Sequence, residues 1–103
     1  MKIIRDCLGH DVRLTDVRLA HFLQHVELMG MEGEIKHVLQ SPTEVRISLA
    51  DNAVRLFYEF YGQTGVGGKW LCVVVKYLTN DAFVITAYLT DGLKAGETIW
   101  PKK

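Results

Sequence analysis

The sequence has little cysteine and no excess of either charge, and both shortages limit its class. Among 103 residues the only cysteines are Cys7 and Cys72, which are too far apart for a CxxC motif. We therefore expect reduced, packed thiols in a cytoplasmic protein rather than a disulfide framework. Twelve lysines and arginines balance twelve aspartates and glutamates. Without a net field, binding to nucleic acid or to a membrane surface would require a local patch.

Long apolar runs are also missing. No segment approaches the length of a membrane span. The first residues, MKIIRDCLGHDVR, carry charges throughout and contain no apolar stretch of the kind found in signal peptides. A chain of this length can nevertheless bury a continuous core. We therefore expect one domain over residues 1–103, in the cytoplasm, with no cofactor, no metal and no membrane partner.

Helical spacing is the main pattern in the first part of the chain. Thr15 and Asp16 form a good helix start, because a hydroxyl or carboxylate can cap free backbone N–H groups. Apolar residues then recur at helical spacing, and a second helical pattern covers residues 34–40 until a proline ends it. Ahead of both helices, residues 2–15 predict a short strand, a turn at Gly9 and a second short extended piece.

Strand patterns occupy most of the remaining chain. Four segments alternate or are rich in β-branched and aromatic residues: EVRISLA, AVRLFYEFY, KWLCVVVKYL and AFVITAYLT. Short turn sequences join them, which favours consecutive antiparallel neighbours. The expected fold class is α+β, with two N-terminal helices followed by a four-stranded antiparallel meander sheet whose one face the helices cover. The tail DGLKAGETIWPKK is polar, and Trp100 is its one candidate for burial.

The stretch RLAHFLQH places Arg18, His21 and His25 on one flank of the first predicted helix. Two histidines four residues apart can share a metal, as in the HExxH helix of zinc proteases. Here Phe22 occupies the position of the catalytic glutamate, and no third ligand has a telling spacing. Metal binding is therefore disfavoured, and the flank by itself is typical of a half-exposed polar surface.

Lys76 follows LCVVV inside a predicted central strand, where a charged side chain is rarely buried without a partner. It could reach water from a strand end, or it could be a cation held for a phosphate or a developing oxyanion. Its neighbours depend on the next turn. A two-residue hairpin at residues 80–81 turns Lys76 to the face of Ile85, whereas a three-residue loop at 79–81 aligns it with Thr86.

The last predicted strand alternates hydroxyl and apolar side chains. Thr86, Tyr88 and Thr90 share one face, and the apolar residues between them form the natural core face. The aromatic strand before it places Tyr58 beside Phe60, which core packing mostly explains, although base stacking would suit it. The glycine-rich GQTGVGGKW between strands lacks the ending of a P-loop and predicts a flexible hairpin.

Taken in order, four segments resemble small phage and bacterial nuclease-like domains of the BECR superfamily, named for barnase, EndoU, the tRNase colicins and RelE. They are VRLTDVRLAHFLQHVELMGMEGEIKHVLQSPTEV, VRLFYEFY, GGKWLCVVVKY and FVITAYLTDGLKAGETIW, which together span roughly residues 12–100. The most specific pieces are the R-x-x-H-x-x-x-H helix, the VVVK strand and the TAY strand. The chain departs from the family at packing positions, with Leu19 or Ala20 where a bulky aromatic is usual and Val26 where a proline is usual.

The resemblance implies the same two-helix and meander fold, and metal-independent cleavage of RNA by its own 2′-OH, often in a toxin held by an antitoxin. The residues it implies as catalytic are His21, His25, Lys76 and Thr86, with Arg18 and Tyr88 in substrate binding; we add Tyr58 as a candidate substrate-binding residue. The chemistry is consistent, because histidine can serve as acid or base near neutrality and cations can hold a phosphate.

The expected partners are RNA, such as tRNA or mRNA, and an antitoxin protein. The alternative function is a non-catalytic binding module on the same fold that pairs with a protein partner. The balance of charges favours this alternative, because an RNA-cleaving toxin is more often basic.

Overall fold

A seven-stranded mixed sheet organises the protein, whose computed structural model describes residues 1–101. The strands are β1 (Lys2–Arg5), β2 (Asp11–Leu14), β3 (Glu44–Ser48), β4 (Val54–Thr64), β5 (Gly67–Leu78), β6 (Asp81–Thr90) and β7 (Gly96–Trp100). The helices are α1 (Asp16–Leu23) and α2 (Glu32–Gln40), with a 3₁₀ turn at Val26–Leu28 between them. Across the sheet the strand order is β1-β2-β6-β5-β4-β3-β7.

The expected fold class, two N-terminal helices followed by a four-stranded antiparallel meander, is wrong. β3 to β6 are consecutive antiparallel neighbours as predicted. The sheet, however, also contains the β1–β2 hairpin on one side, where β2 runs parallel to β6, and β7 beside β3 on the other. The sequence predicts β1 and β2 as short extended pieces, but it does not indicate that they or β7 join the sheet, because the partner of so short a strand is not encoded in its own residues. They form here because an existing strand edge satisfies their backbone hydrogen bonds.

The predicted start of α1 is confirmed, but the helix does not extend to His25 as predicted. The Thr15 hydroxyl accepts a hydrogen bond from the N–H of Arg18 at 3.2 Å, which caps the helix. α1 ends at Leu23, so His25 lies outside it, directly before the 3₁₀ turn. Arg18 and His21 therefore share the helix without His25. Within residues 1–101, no helix is long and apolar enough to cross a membrane.

The two faces of the sheet are packed differently. On one face, which we call the helix face, α1 and α2 bury the larger cluster, in which Phe22 and Ile35 meet Val73 and Val75 from β5. The other face carries a smaller cluster made of Leu56, Tyr58, Cys72 and Val74. Burial on both faces explains why β5 reads as a continuous apolar run instead of an alternating one.

The smaller cluster is covered by the connection between β6 and β7, residues 91–95, which passes three intervening strands. Leu93 packs into the cluster, and the N–H of Lys94 donates a hydrogen bond to the Tyr58 hydroxyl at 3.1 Å. The guanidinium of Arg46 donates to the Lys94 carbonyl at 2.8 Å. These contacts hold the crossing segment against the sheet, and we call this side the crossover face.

Gly96 is required where β7 begins beside β3. A Cβ at this position would overlap the carbonyl oxygen of Ile47. We expect Gly96→Ala to separate the strands locally and to lower the free energy of unfolding by about 1–3 kcal/mol, as overpacking typically does. Urea denaturation followed by circular dichroism measures the change.

Gly92→Ala is the matched control, because a Cβ on Gly92 would meet no atom within 4 Å. We expect its denaturation midpoint to stay near that of the wild type. Equal midpoints for the two variants would show that β7 does not pair with β3 as described.

Candidate functional site

The turn between β5 and β6 contains two residues, 79–80, because Leu78 pairs with Asp81. Neither of the two loops considered from the sequence is therefore the observed one. Regular alternation from this turn would put Lys76 and Thr86 on opposite faces of the sheet, since neighbouring residues of a strand point to opposite sides.

A β-bulge in β6 reverses that outcome. The register shifts between Val75, which pairs with Val84, and Val74, which pairs with Thr86, so β6 carries one extra residue, Ile85. An extra residue changes the phase of the alternation beyond it. Thr86 and Tyr88 therefore share the crossover face with Lys76. The bulge is the feature that brings together the residues predicted from VVVK and TAY.

Lys76 is held in place by a carboxylate that the sequence patterns did not single out. Its ammonium donates to Asp51 at 2.5 Å, and its side chain is 30% exposed. Asp51 also accepts from the N–H of Ala53 at 2.9 Å. The hydrogen bond from Lys76 lowers the pKa of the Asp51 carboxyl group. Lys76 is thus oriented and charge-balanced, and a phosphate bound there would share it with Asp51 or displace that carboxylate.

Tyr58 lies out of reach of a substrate. Its side chain is completely buried, and its hydroxyl is engaged by the Lys94 N–H. Burial raises the pKa of Tyr58 to about 12 and that of the adjacent Cys72 thiol to about 11. Both groups are therefore neutral at physiological pH, and their contacts are those of a packed core.

Tyr88 is less buried than Tyr58, but its hydroxyl is also enclosed. The ammonium of Lys94 lies 5.4 Å from the centroid of its ring, which is a cation–π contact. Its hydroxyl has no hydrogen-bond partner among the described residues, and burial raises its pKa. Tyr88 can thus position Lys94 through its ring while its hydroxyl stays protonated.

The helix residues lie on the other side of the sheet. α1 packs through Phe22 against the helix face, and Arg18, His21 and His25 are exposed. The ring centroids of the two histidines are 6.1 Å apart, and Nδ1 of His25 lies 3.8 Å from a carboxylate oxygen of Glu27. The histidines thus form one group, and it does not share a face with Lys76 and Thr86.

The edge of β6, the strand that carries Thr86, adjoins α1. β2 pairs with β6 at a single position, Arg13 with Phe83, and α1 and the 3₁₀ turn both contact β6. Beyond Phe83, no described strand pairs with this edge of β6. A ligand at that edge could touch residues of α1 and the hydroxyl row of β6 together.

A buried polar cluster near the β1–β2 turn was missed from the sequence. The carboxylate of Asp6, which is 5% exposed, accepts from the N–H groups of Leu8 and His10 at 2.9 and 2.8 Å and from the Tyr77 hydroxyl at 2.5 Å. The His10 ring packs edge-to-face on Tyr77 at 5.2 Å. An aspartate before Gly9 is a recognisable turn signal, but its bond to Tyr77 depends on long-range folding.

This cluster borders an open pocket of about 290 Å³ between the β1–β2 and β5–β6 turns, which His10 and Tyr77 help to line. Its acidic side chains are balanced: Asp11 pairs with Arg5, and Asp81 accepts two hydrogen bonds from Arg13. Across residues 1–101, no group of three or more His, Cys, Asp or Glu side chains is arranged to hold a metal ion. The contacts of Asp6 fit an anchor between the β1–β2 turn and β5.

Tyr77→Phe tests this anchor. The substitution removes one hydrogen bond from a buried carboxylate, so we expect it to lower the free energy of unfolding by about 1–3 kcal/mol. Tyr61→Phe is the matched control, because the buried Tyr61 hydroxyl has no hydrogen-bond partner among the described residues. Removing the Tyr61 hydroxyl should leave the free energy of unfolding unchanged or raise it. Urea denaturation of both variants decides the matter, and equal destabilisation would contradict the anchoring role.

Comparisons with known proteins add no family to these observations. No protein-family model matches the chain, no curated protein matches it, and no solved structure matches it. The arrangement of side chains described above is therefore the basis on which a function can be inferred.

Proposed function

We propose that the protein is a cytoplasmic, metal-independent endoribonuclease in which the 2′-OH of RNA attacks the adjacent phosphate. The observation that carries the proposal is the bulged register of β5 and β6, because it leaves Lys76 and Thr86 on one face, with Tyr88 continuing the row. A cation that shares a face with a hydroxyl side chain suits an anionic ligand. The expected fold is not part of the support, since the sheet has seven strands.

Lys76 would stabilise the extra negative charge that develops on the phosphate during the attack. Its contact with Asp51 restrains the ammonium before substrate binds, and a preorganised cation stabilises a transition state better than a mobile one. The Thr86 hydroxyl would donate a hydrogen bond to a phosphate oxygen. Lys94, which lies over the Tyr88 ring, supplies a second cation near this row.

His21 and His25 would act as general acid and base, with His21 as the principal one. For that role the scissile phosphate must sit at the free edge of β6, where α1 and the 3₁₀ turn meet the strand. Arg18 on the same helix can bind a phosphate through its planar guanidinium. The sequence resemblance adds an antitoxin protein as the proposed partner that restrains the activity.

The second candidate function is a non-catalytic module that binds a protein partner. Two observations favour it: Asp51 already balances the charge of Lys76, and the histidines lie across the sheet from Thr86. This candidate predicts no RNA cleavage, no toxicity on expression and a partner that co-purifies.

Cleavage of single-stranded RNA or tRNA in the presence of EDTA is the direct test of the ribonuclease proposal. We expect Lys76→Met to lower the rate about 100-fold or more, because it removes a charge that stabilises the transition state. His21→Ala should cost a similar factor through the loss of acid–base catalysis. Circular dichroism checks that both variants fold.

His37→Ala is the matched control. His37 is a histidine on α2 with a half-exposed side chain whose imidazole lies 3.4 Å from Glu59, away from the proposed site. Its loss should leave the cleavage rate unchanged. Cleavage that survives both Lys76→Met and His21→Ala would show that another site, or a contaminant, is responsible.

A further inference from the structure

An aromatic pair lies on the crossover face at the end of β5 remote from Lys76. Phe60 pairs with Trp70 across β4 and β5, and their ring centroids are 5.5 Å apart in an edge-to-face arrangement. Trp70 also meets the ring of Tyr58 edge-to-face at 6.4 Å. The indole is therefore held between two rings, while Phe60 remains 50% exposed.

The pair stands on a two-stranded ribbon that extends beyond its neighbours. The pairing of β3 with β4 reaches only to Tyr58, and that of β6 with β5 only to Trp70. A Cβ on Gly68 would lie 3.1 Å from Cζ of Phe60, so the phenyl ring lies over the glycine backbone. Glycine at this position lets the ring rest against the ribbon, which makes the exposed aromatic surface ordered before any ligand arrives.

Charged and hydroxyl side chains continue along the face from this pair. Thr90 pairs with Trp70, Tyr88 with Cys72, and Thr86 with Val74, so these three β6 side chains form a row that leads towards Lys76. The Thr90 hydroxyl bonds the backbone of Gly92 and the Tyr88 hydroxyl is buried. Lys94 lies over this row, and no carboxylate in the described part of the chain pairs with its ammonium. An aromatic surface followed by cations is the combination with which proteins bind single-stranded nucleic acid.

We propose that Phe60 and Trp70 form a stacking platform for a base of single-stranded RNA whose backbone then passes Lys94 towards Lys76. The inference rests on the proposed function, since it names the substrate class of that site. The strand must cross residues 91–95, because this segment runs over the face between the platform and Lys76. Lys94 belongs to that segment and offers a cation at the crossing.

The spacing sets the length of RNA that the surface can hold. Trp70 and Lys76 are six residues apart along β5, which is about 20 Å in a strand. A stacked nucleic-acid strand rises about 3.4 Å per nucleotide, so about six nucleotides cover this distance, and an extended strand needs fewer. Affinity should therefore increase with oligonucleotide length and level off at about six nucleotides.

Fluorescence of Trp70 gives a direct measurement. The chain has two tryptophans, Trp70 and Trp100, and Trp100 packs on the helix face. The background variant Trp100→Phe therefore leaves Trp70 as the sole source of tryptophan fluorescence. This protein is titrated with 2′-O-methyl oligonucleotides of two to eight residues, which cannot be cleaved because the attacking hydroxyl is blocked. We expect quenching by single strands, and binding at least about fivefold weaker for Phe60→Leu than for the parent, as loss of one stacking contact gives.

Three further variants make the test specific. Phe60→Tyr keeps an aromatic ring and should restore binding, whereas Val66→Ser, at an exposed position on the same hairpin, should not change it. Lys94→Met should weaken binding to all sequences alike. It should also reduce the slope of log K against log salt concentration by about one. Circular dichroism confirms that each variant is folded.

The platform is overturned if Phe60→Leu binds the oligonucleotides as tightly as the parent, or if duplex RNA binds as tightly as single strands. Loss of a protein partner instead of RNA on Phe60→Leu would also overturn it. If the protein binds RNA in a Phe60-dependent way but cuts no RNA, the platform is supported and the proposed function is refuted. If cleavage requires Lys76 but not Phe60, the proposed function is supported and the platform is refuted.

Discussion

One extra residue in β6 determines which side chains of that strand meet the core. Ala82 and Val84 before the bulge and Ala87 after it all pack on the helix face, although strict alternation cannot place 84 and 87 on the same side. Without the bulge, Thr86 would point to the helix face and would no longer share a face with Lys76. The bulge thus serves the core and the candidate site at once.

On the crossover face, several charged side chains are paired with a residue of opposite charge. Lys76 contacts Asp51, Arg13 contacts Asp81, and Arg46 contacts Glu44. Ion pairs with this degree of exposure add little stability, because water screens their attraction. Their main effect is to orient long side chains, and they leave Lys94 as a cation of this face with no carboxylate partner in the described part of the chain.

The sheet also separates two groups that the sequence joins into one hypothesis. His21 and His25 lie on the side of the sheet where Phe22 packs, which is the helix face. Lys76 and Thr86 share the crossover face with Val74. A catalytic role for all four requires substrate at the free edge of β6. The aromatic ribbon at Phe60 does not depend on that edge, and it gives the crossover face a feature that RNA could recognise independently of cleavage.

Local sequence signals predicted the Thr15 cap of α1 and the four central strands, although not the residues of the turn between β5 and β6. Local signals suffice there because capping and alternation act within a few residues. Local patterns did not predict where β1, β2 and β7 join the sheet, the bulge in β6, or the partners of Lys76 and Asp6. Each depends on hydrogen bonds or ion pairs with residues distant in the chain. No short-range pattern encodes such contacts, because their energy is realised only when the sheet closes around its core.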